Sequence, residues 1–125
     1  DTATRTWERM PTLLDGRGQM SAYGGPRLGP DGRWHCLWMW RDTPHADTNH
    51  TLSYMVSDDL VNWRSPDGTP VPIPVNYDQP LVVVEPAKPG DGLINPSQWL
   101  GLDSKNRPVI TYLIFGPTGK SAIRA

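Results

Sequence analysis

Prolines and glycines are spread so densely through this chain that they largely decide what it can fold into. The 125 residues include 14 prolines and 12 glycines. Both interrupt helices, proline because it lacks a backbone N–H and glycine because its backbone is too free. No window of a dozen residues keeps a helical period without meeting one of them. We therefore predict an all-β fold of short strands joined by turns.

Two predicted strands and the polar loop between them form the centre of the chain, at residues 29–63. The first strand, residues 34–40, is apolar and aromatic almost throughout, which is typical of a strand buried on both faces. The second, residues 51–56, alternates more weakly. The loop at residues 41–50 holds an arginine, two aspartates, an asparagine and two of the three histidines. This polar content makes the loop the first candidate for a functional site.

An internal repeat with a period of 74 residues relates Arg33 to Arg107. In each copy a strand precedes a turn that ends on the arginine, an apolar strand follows, and a loop then leads to another strand. Four-stranded antiparallel sheets repeated in this way are the blades of a β-propeller. The chain then divides into the outer strand of a preceding blade, one full blade, a long connector and the first three strands of the next blade: residues 1–16, 17–66, 67–92 and 93–125.

Composition argues against several classes of function. A net charge of −1 without a basic run lacks the electrostatic footprint of a nucleic-acid-binding protein. The sequence shows neither a membrane-spanning segment nor a signal peptide. The single cysteine, Cys36, cannot form an internal disulfide and is predicted to be buried and inert. The aspartates and histidines lack the spacing of a metal site, so we predict no metal and no cofactor.

Three segments carry a family resemblance: GPDGRWHCLWMWRDTP, TNHTLSYMVSDDLVNWRSPDGTPVPIPV and LINPSQWLGLDSKNRPVITYLIFGPTG. They resemble the BNR-repeat, or Asp-box, propellers, and more narrowly the ulvan-lyase-like and rhamnosidase-like polysaccharide enzymes. The SDDLVNW turn is one residue shorter than the usual Asp box and lacks its glycine. The string TNH-x-x-x-Y-x-x-S-D-D after W-x-W-R is more specific. The resemblance implies a secreted or periplasmic seven-bladed propeller that cleaves or binds uronate- and rhamnose-containing polysaccharides.

The resemblance also implies histidine, tyrosine and arginine side chains at the mouth of the propeller channel. β-Elimination at a uronate needs a group for the carboxylate, a base for the C5 proton and an acid for the leaving oxygen. The candidate catalytic residues are His50, Tyr23 and Tyr54. The candidate substrate-binding residues are Arg41, whose fork suits a carboxylate, and four other polar residues: Asn49, His45, Asn95 and Gln98.

Each of these side chains has a structural alternative, in which it pairs with a neighbouring loop or packs in the sheet. His35, inside the aromatic strand, is predicted to be a satisfied core histidine. A lyase is the leading hypothesis for the intact propeller. A glycoside hydrolase, which commonly uses two carboxylates, remains open because the loop offers Asp42 and Asp47. A glycan-binding or structural propeller without catalysis also remains open.

The arrangement of strands leads to three further expectations. About two blades are fewer than any propeller needs, so we expect the 125-residue chain alone to be inactive. An exposed blade edge invites pairing with a second copy or with a complementary propeller fragment. Residues 41–50 and 65–92 should lie at one end of the blade, and Trp63 with the turn at residues 57–59 at the other.

Overall fold

The computed structural model is all-β, which confirms the fold class predicted from the prolines and glycines. It describes residues 3, 4, 6–94 and 98–124. Regular structure within these residues consists of nine β-strands and two short 3-10 turns, without an α-helix. None of the described residues belong to a helix long and apolar enough to cross a membrane. The strands form two antiparallel sheets.

The first sheet has six strands and carries the polar loop. Its main path follows the chain through β1 (Ser21–Leu28), β2 (Trp34–Arg41), β3 (Asn49–Ser57), β4 (Trp63–Arg64) and β5 (Pro70–Val71). A sixth strand, β6 (Val83–Glu85), pairs with β3 at residues 52–53, whereas β4 pairs with β3 at residues 56–57. The segment 67–92, which the sequence analysis treats as a connector, therefore contributes two strands to this sheet.

The second sheet consists of β7 (Trp99–Leu102), β8 (Pro108–Phe115) and β9 (Ser121–Arg124). β8 begins and ends 74 positions after β2. The turns that precede these two strands also match. The Gly29 N–H donates to the Arg33 carbonyl and the Gly32 N–H to the Gly29 carbonyl, and both bonds recur 74 positions later. The repeat seen in the sequence is therefore a repeat of structure.

β2 is buried on both faces, as its apolar sequence predicts. One face, which includes Trp38 and Trp40, packs against residues of the 65–92 segment such as Val75. The other face, which includes Met39, packs against Tyr112 and its neighbours in the second sheet. Hydrophobic cores on either side of one strand hold the position of its last residue, where the polar loop begins.

Cys36 is a buried free thiol, in agreement with its predicted inertness. Burial raises the pKa of this thiol to about 12. Because the thiolate is the reactive form of cysteine, Cys36 is unreactive at neutral pH.

The structure differs from the prediction of an outer strand near Trp7. Residues 6–13 form no regular strand, and Trp7 is 98% exposed. The chain first joins the sheet at residues 13–15, where backbone hydrogen bonds connect it to Val75. A strand needs a neighbour to pair its N–H and C=O groups, and among the described residues the sheet supplies that neighbour from residue 13 onward.

Candidate functional site

The polar loop and the 65–92 segment meet at one end of the first sheet, which we call the loop end. The Gly90 N–H donates to the Asp47 carbonyl over 2.8 Å, and the Thr51 N–H donates to the Ala87 carbonyl over 2.9 Å. Trp63 and the turn at residues 57–59 lie at the opposite end of β3. The expected place of Trp63 and the turn at residues 57–59 is confirmed. The expectation for residues 65–92 is confirmed only in part: residues 87–90 lie at the loop end, whereas β5 (Pro70–Val71) pairs with Trp63 and Arg64 at the opposite end.

Arg41, the last residue of β2, is held on two sides at the loop end. Its guanidinium carbon lies 3.8 Å from the centre of the Tyr23 ring. Its Nε donates to Asn49 Oδ1 over 2.6 Å, and both residues are buried. A cation over an aromatic face is stabilised by about 0.5–2 kcal/mol. The two contacts fix the orientation of the guanidinium plane.

His50 and Asp42 form a second polar group at the loop end. Its Nε2 lies 3.0 Å from Asp42 Oδ1, and its Nδ1 lies 2.9 Å from Thr51 Oγ1. An ionised carboxylate only accepts hydrogen bonds, so Nε2 carries the proton in this contact. Nδ1 is therefore the basic nitrogen of the neutral ring. Asp42 orients the imidazole in the way that a carboxylate orients a catalytic histidine base.

A β-bulge at Thr51 determines which side chains meet. Met39 pairs with Leu52 and Arg41 pairs with Asn49, so β3 has one more residue than β2 between the two pairs. Without the extra residue, Arg41 would face His50 instead of Asn49. Thr51 takes up the insertion with a φ of 51°, a left-handed conformation that is unusual for a β-branched residue.

The structure brings three of the eight predicted site residues into contact: Tyr23, Arg41 and Asn49. His50 lies at the same end of the sheet, but it pairs with Trp40 and so is on the opposite face from Arg41, which pairs with Asn49. His45 lies in the same loop but is exposed to solvent. Gln98 lines a cavity of about 650 Å³ between β1 and β7, and its Oε1 is buried without a hydrogen-bond partner among the described residues. Asn95 lies outside the described residues.

Tyr54 belongs to a different, buried network. Its hydroxyl lies 2.7 Å from Nδ1 of His35, whose Nε2 lies 3.0 Å from Asp31 Oδ1. Tyr54 is only 2% exposed, and burial raises its pKa to about 12. The geometry gives Tyr54 no place in the cluster at the loop end. His35, with both ring nitrogens paired, is the satisfied core histidine that the sequence predicts.

Sequence reasoning missed Thr51 and the pairing of Asp42 with His50. A threonine in a predicted strand gives no sign of a bulge, so Thr51 had no distinguishing signal. Asp42 and His50 lie near the two ends of the loop that joins β2 to β3, and a hairpin brings the two ends of its loop together. That signal was present but was read as two separate roles.

The profile of the BNR repeat-containing family matches residues 1–123 of the chain. The chain belongs to the BNR repeat family. A match of this length spans residues of both sheets and the 74-residue repeat that relates them. No curated protein matches the chain.

Proposed function

We propose that this BNR repeat chain is part of a carbohydrate-active β-propeller that acts on a uronate- and rhamnose-containing polysaccharide by β-elimination. One observation carries the proposal: a guanidinium held by Tyr23 and Asn49 lies at the same end of the sheet as the His50–Asp42 pair. Membership of the BNR repeat family supports a carbohydrate-related role. The polar groups at the loop end add an arginine for the carboxylate, a histidine as base and a tyrosine as acid, which elimination at a uronate requires.

Arg41 binds the uronate carboxylate. A guanidinium presents parallel N–H groups that match the two oxygens of a carboxylate. Because Nε is bonded to Asn49 and one face is covered by Tyr23, the direction of the two Nη groups is set before substrate arrives. Binding also stabilises the negative charge that develops on the carboxylate when C5 loses its proton, which lowers the barrier to elimination.

His50 removes the C5 proton through Nδ1, which exchanges the Thr51 hydroxyl for the C5–H group as substrate binds. The electron pair of the C5–H bond forms the C4–C5 double bond as the C4–O bond breaks, and the leaving oxygen takes a proton from an acid. Asp42, bonded to Nε2, stabilises the imidazolium that results. Tyr23, next to Arg41, takes the role of the acid. The elimination is redox-neutral and needs no co-reactant.

A glycoside hydrolase is the alternative enzyme, with Asp42 and Asp47 as its carboxylates. The hydrogen bond from His50 to Asp42 favours proton abstraction by histidine over direct attack by this carboxylate. A glycan-binding propeller without catalysis would use Arg41 and Tyr23 alone.

Incubation of the intact protein with uronate-containing polysaccharide separates the three functions. A lyase produces both the ultraviolet absorbance of an unsaturated uronate and new reducing ends, a hydrolase produces reducing ends alone, and a binding protein produces neither. We expect His50→Gln to lower lyase turnover by about 100-fold or more, since a positioned acid–base group contributes that much. His45→Gln, a matched change in the exposed part of the same loop, should leave turnover unchanged. Reducing ends without the absorbance contradict the proposal.

A further inference from the structure

The cavity of about 650 Å³ between β1 and β7 extends away from the polar contacts of the loop end. It follows β1 from Gly24 to the turn at residues 29–30, whereas the loop end lies at the start of that strand, where Ser21 pairs with Arg41. Its volume is within the range of about 300–1,000 Å³ that small-ligand sites occupy. We propose that this cavity is a second carbohydrate-binding site, which takes a neutral, hydroxyl-bearing sugar ring. The inference goes beyond the proposed elimination, because binding here needs neither a carboxylate nor turnover.

Gln98 supplies a hydrogen-bond acceptor to this cavity. Its Oε1 is buried and has no hydrogen-bond partner among the described residues. A buried acceptor without a partner destabilises the folded state, because it has lost its hydrogen bond to water. A sugar hydroxyl can donate to this oxygen, whereas an ionised carboxylate only accepts hydrogen bonds and cannot. The acceptor therefore favours a hydroxyl group as the part of the ligand that contacts Gln98.

Trp99 and Arg27 supply the other contacts that a sugar ring needs. Trp99, the first residue of β7, lines the cavity and is 69% exposed, so the ring is accessible to a ligand. The C–H face of a sugar ring is apolar and can cover an indole ring, which buries apolar surface of both. Arg27 in β1 also lines the cavity and is exposed, and its guanidinium donates to hydroxyl oxygens. None of the described residues that line the cavity is acidic.

Two glycines in the facing strands give a second, independent reason to place a ligand here. Gly25 in β1 and Gly101 in β7 line the cavity, and no atom lies within 4 Å of the place where a Cβ would stand at either residue. Neither has the left-handed backbone conformation that favours glycine. A glycine inside a strand weakens that strand and often marks a site where a ligand approaches the backbone closely. The fold has room for a side chain at both positions, so their lack of one is explained by the space that a sugar ring needs.

Calorimetric titration of the intact protein with rhamnose tests the site, because this neutral sugar has no carboxylate for Arg41. We expect wild type to bind rhamnose and Trp99→Ala to bind it about tenfold more weakly, since the apolar face of the sugar is then no longer covered. Trp7→Ala is the matched control. It removes a tryptophan that is 98% exposed and does not line the cavity, so it should leave the affinity unchanged.

Two further variants should weaken binding without weakening the fold. Gly25→Val puts a side chain into the cavity, and Gln98→Leu removes the buried acceptor. We expect Gly25→Val to lose rhamnose binding and Gln98→Leu to bind about fivefold more weakly. Without sugar, both should melt at or above the wild-type temperature, because valine suits a strand better than glycine and leucine needs no hydrogen bond. A residue with only a structural role would not combine these two effects.

Several results would overturn the site. They are a wild type that does not bind rhamnose, full affinity in Trp99→Ala or Gly25→Val, and a Gln98→Leu protein that melts far below wild type with unchanged affinity. The elimination is judged separately, by the absorbance of the unsaturated uronate. Rhamnose binding that responds to the variants as expected, in a protein without that absorbance, upholds the cavity site and contradicts the proposed function. Turnover without rhamnose binding upholds the proposed function and overturns the cavity site.

Discussion

The two sheets of this BNR repeat chain share one strand framework and differ in what covers it. Met39 in β2 is fully buried, whereas the matching face of β8 has Val109 at 41% and Phe115 at 43% exposure. Phe115 occupies the position that corresponds to Arg41, 74 residues later. The repeat thus supplies equivalent strands, but among the described residues the polar contacts form in the sheet whose strand ends meet a polar loop and the 65–92 segment. The comparison teaches that the polar contacts of the candidate site depend on the loop end and not on the repeated strands.

The largest expected difference between the sheets concerns one pair of equivalent core positions. Met39→Ala should lower the free energy of unfolding by about 2–5 kcal/mol, because it opens a cavity in a fully buried layer. Leu113→Ala, 74 positions later on the exposed face of β8, should cost about 1 kcal/mol. Urea unfolding of the two variants measures both values. Equal losses would mean that the two faces are equally covered, which contradicts the comparison.

The second difference concerns the matching turns before β2 and β8. Asp31 and Asp103 each accept a hydrogen bond over 2.7 Å from Nε of an arginine, Arg33 or Arg107. The Asp31 side chain is 5% exposed and that of Asp103 is 25% exposed. Burial alone would raise the pKa of Asp31, but hydrogen bonds from His35 and Arg33 outweigh burial and hold it well below its usual range.

Because folding lowers the pKa of Asp31, its carboxylate stabilises the folded state above the unfolded value of about 4. That contribution is lost as the pH falls below 4 toward the folded pKa. At pH 7, Asp31→Asn should lower the free energy of unfolding by about 2 kcal/mol, and Asp103→Asn by less. Thermal melts at pH 7 and pH 3 should show the Asp31→Asn deficit shrinking at the lower pH. A deficit that is larger at pH 3 than at pH 7 would contradict the expectation that the ionised Asp31 carboxylate stabilises the folded state.

A smaller effect is expected where the two sheets are joined. The hydroxyl of Tyr112 in β8 donates to Glu85 Oε2 in β6 over 2.5 Å. Tyr112→Phe should lower the free energy of unfolding by about 1.5 kcal/mol, since the acceptor is a charged group. Tyr77→Phe, in a partly buried tyrosine of the first sheet's core, is the matched control and should change stability by less. Calorimetric melts that rank the two variants the other way would show that this bond does not join the sheets.

The smallest effect is expected on the exposed face of the second sheet. Ile123 in β9 is 79% exposed, so Ile123→Lys should change the free energy of unfolding by no more than about 0.5 kcal/mol. Denaturant unfolding at two protein concentrations checks this value. A large, concentration-dependent loss would mean that another chain covers this face, as the predicted pairing of blade edges requires.

The sequence predicted a strand correctly where a local pattern, either an apolar run or the 74-residue repeat, marked its position. Apolar residues without a break located β2 at residues 34–40, against Trp34–Arg41 in the structure, and the repeat then located β8. The sequence did not predict strands that form only because segments distant in sequence pair with each other. The proline-rich 67–92 segment was read as a connector, although β6 pairs with β3 inside the sheet.

The candidate site was predicted only in part, because some of its contacts also depend on residues that are distant in sequence. Residue type and loop position identified Arg41, Asn49 and His50, because polar residues at strand ends come together when the strands pair. Tyr23 was identified from its place on a strand predicted to line the propeller channel. The bulge at Thr51 depends on the backbone of Ala87, which is distant in sequence, and no local pattern records it. Tyr54 was assigned to the site because it follows His50 closely in sequence, but its hydroxyl reaches His35 instead.

The most direct test of the central claim is calorimetric binding of a uronate oligosaccharide and of its carboxyl-reduced counterpart to the intact protein. If Arg41 binds the carboxylate, wild type should bind the acid form about tenfold or more tightly than the reduced form, as expected for a charge-assisted hydrogen bond. Arg41→Lys, which keeps the charge and loses the fork, should lose most of that preference. Equal affinity of wild type for the two oligosaccharides would contradict the account.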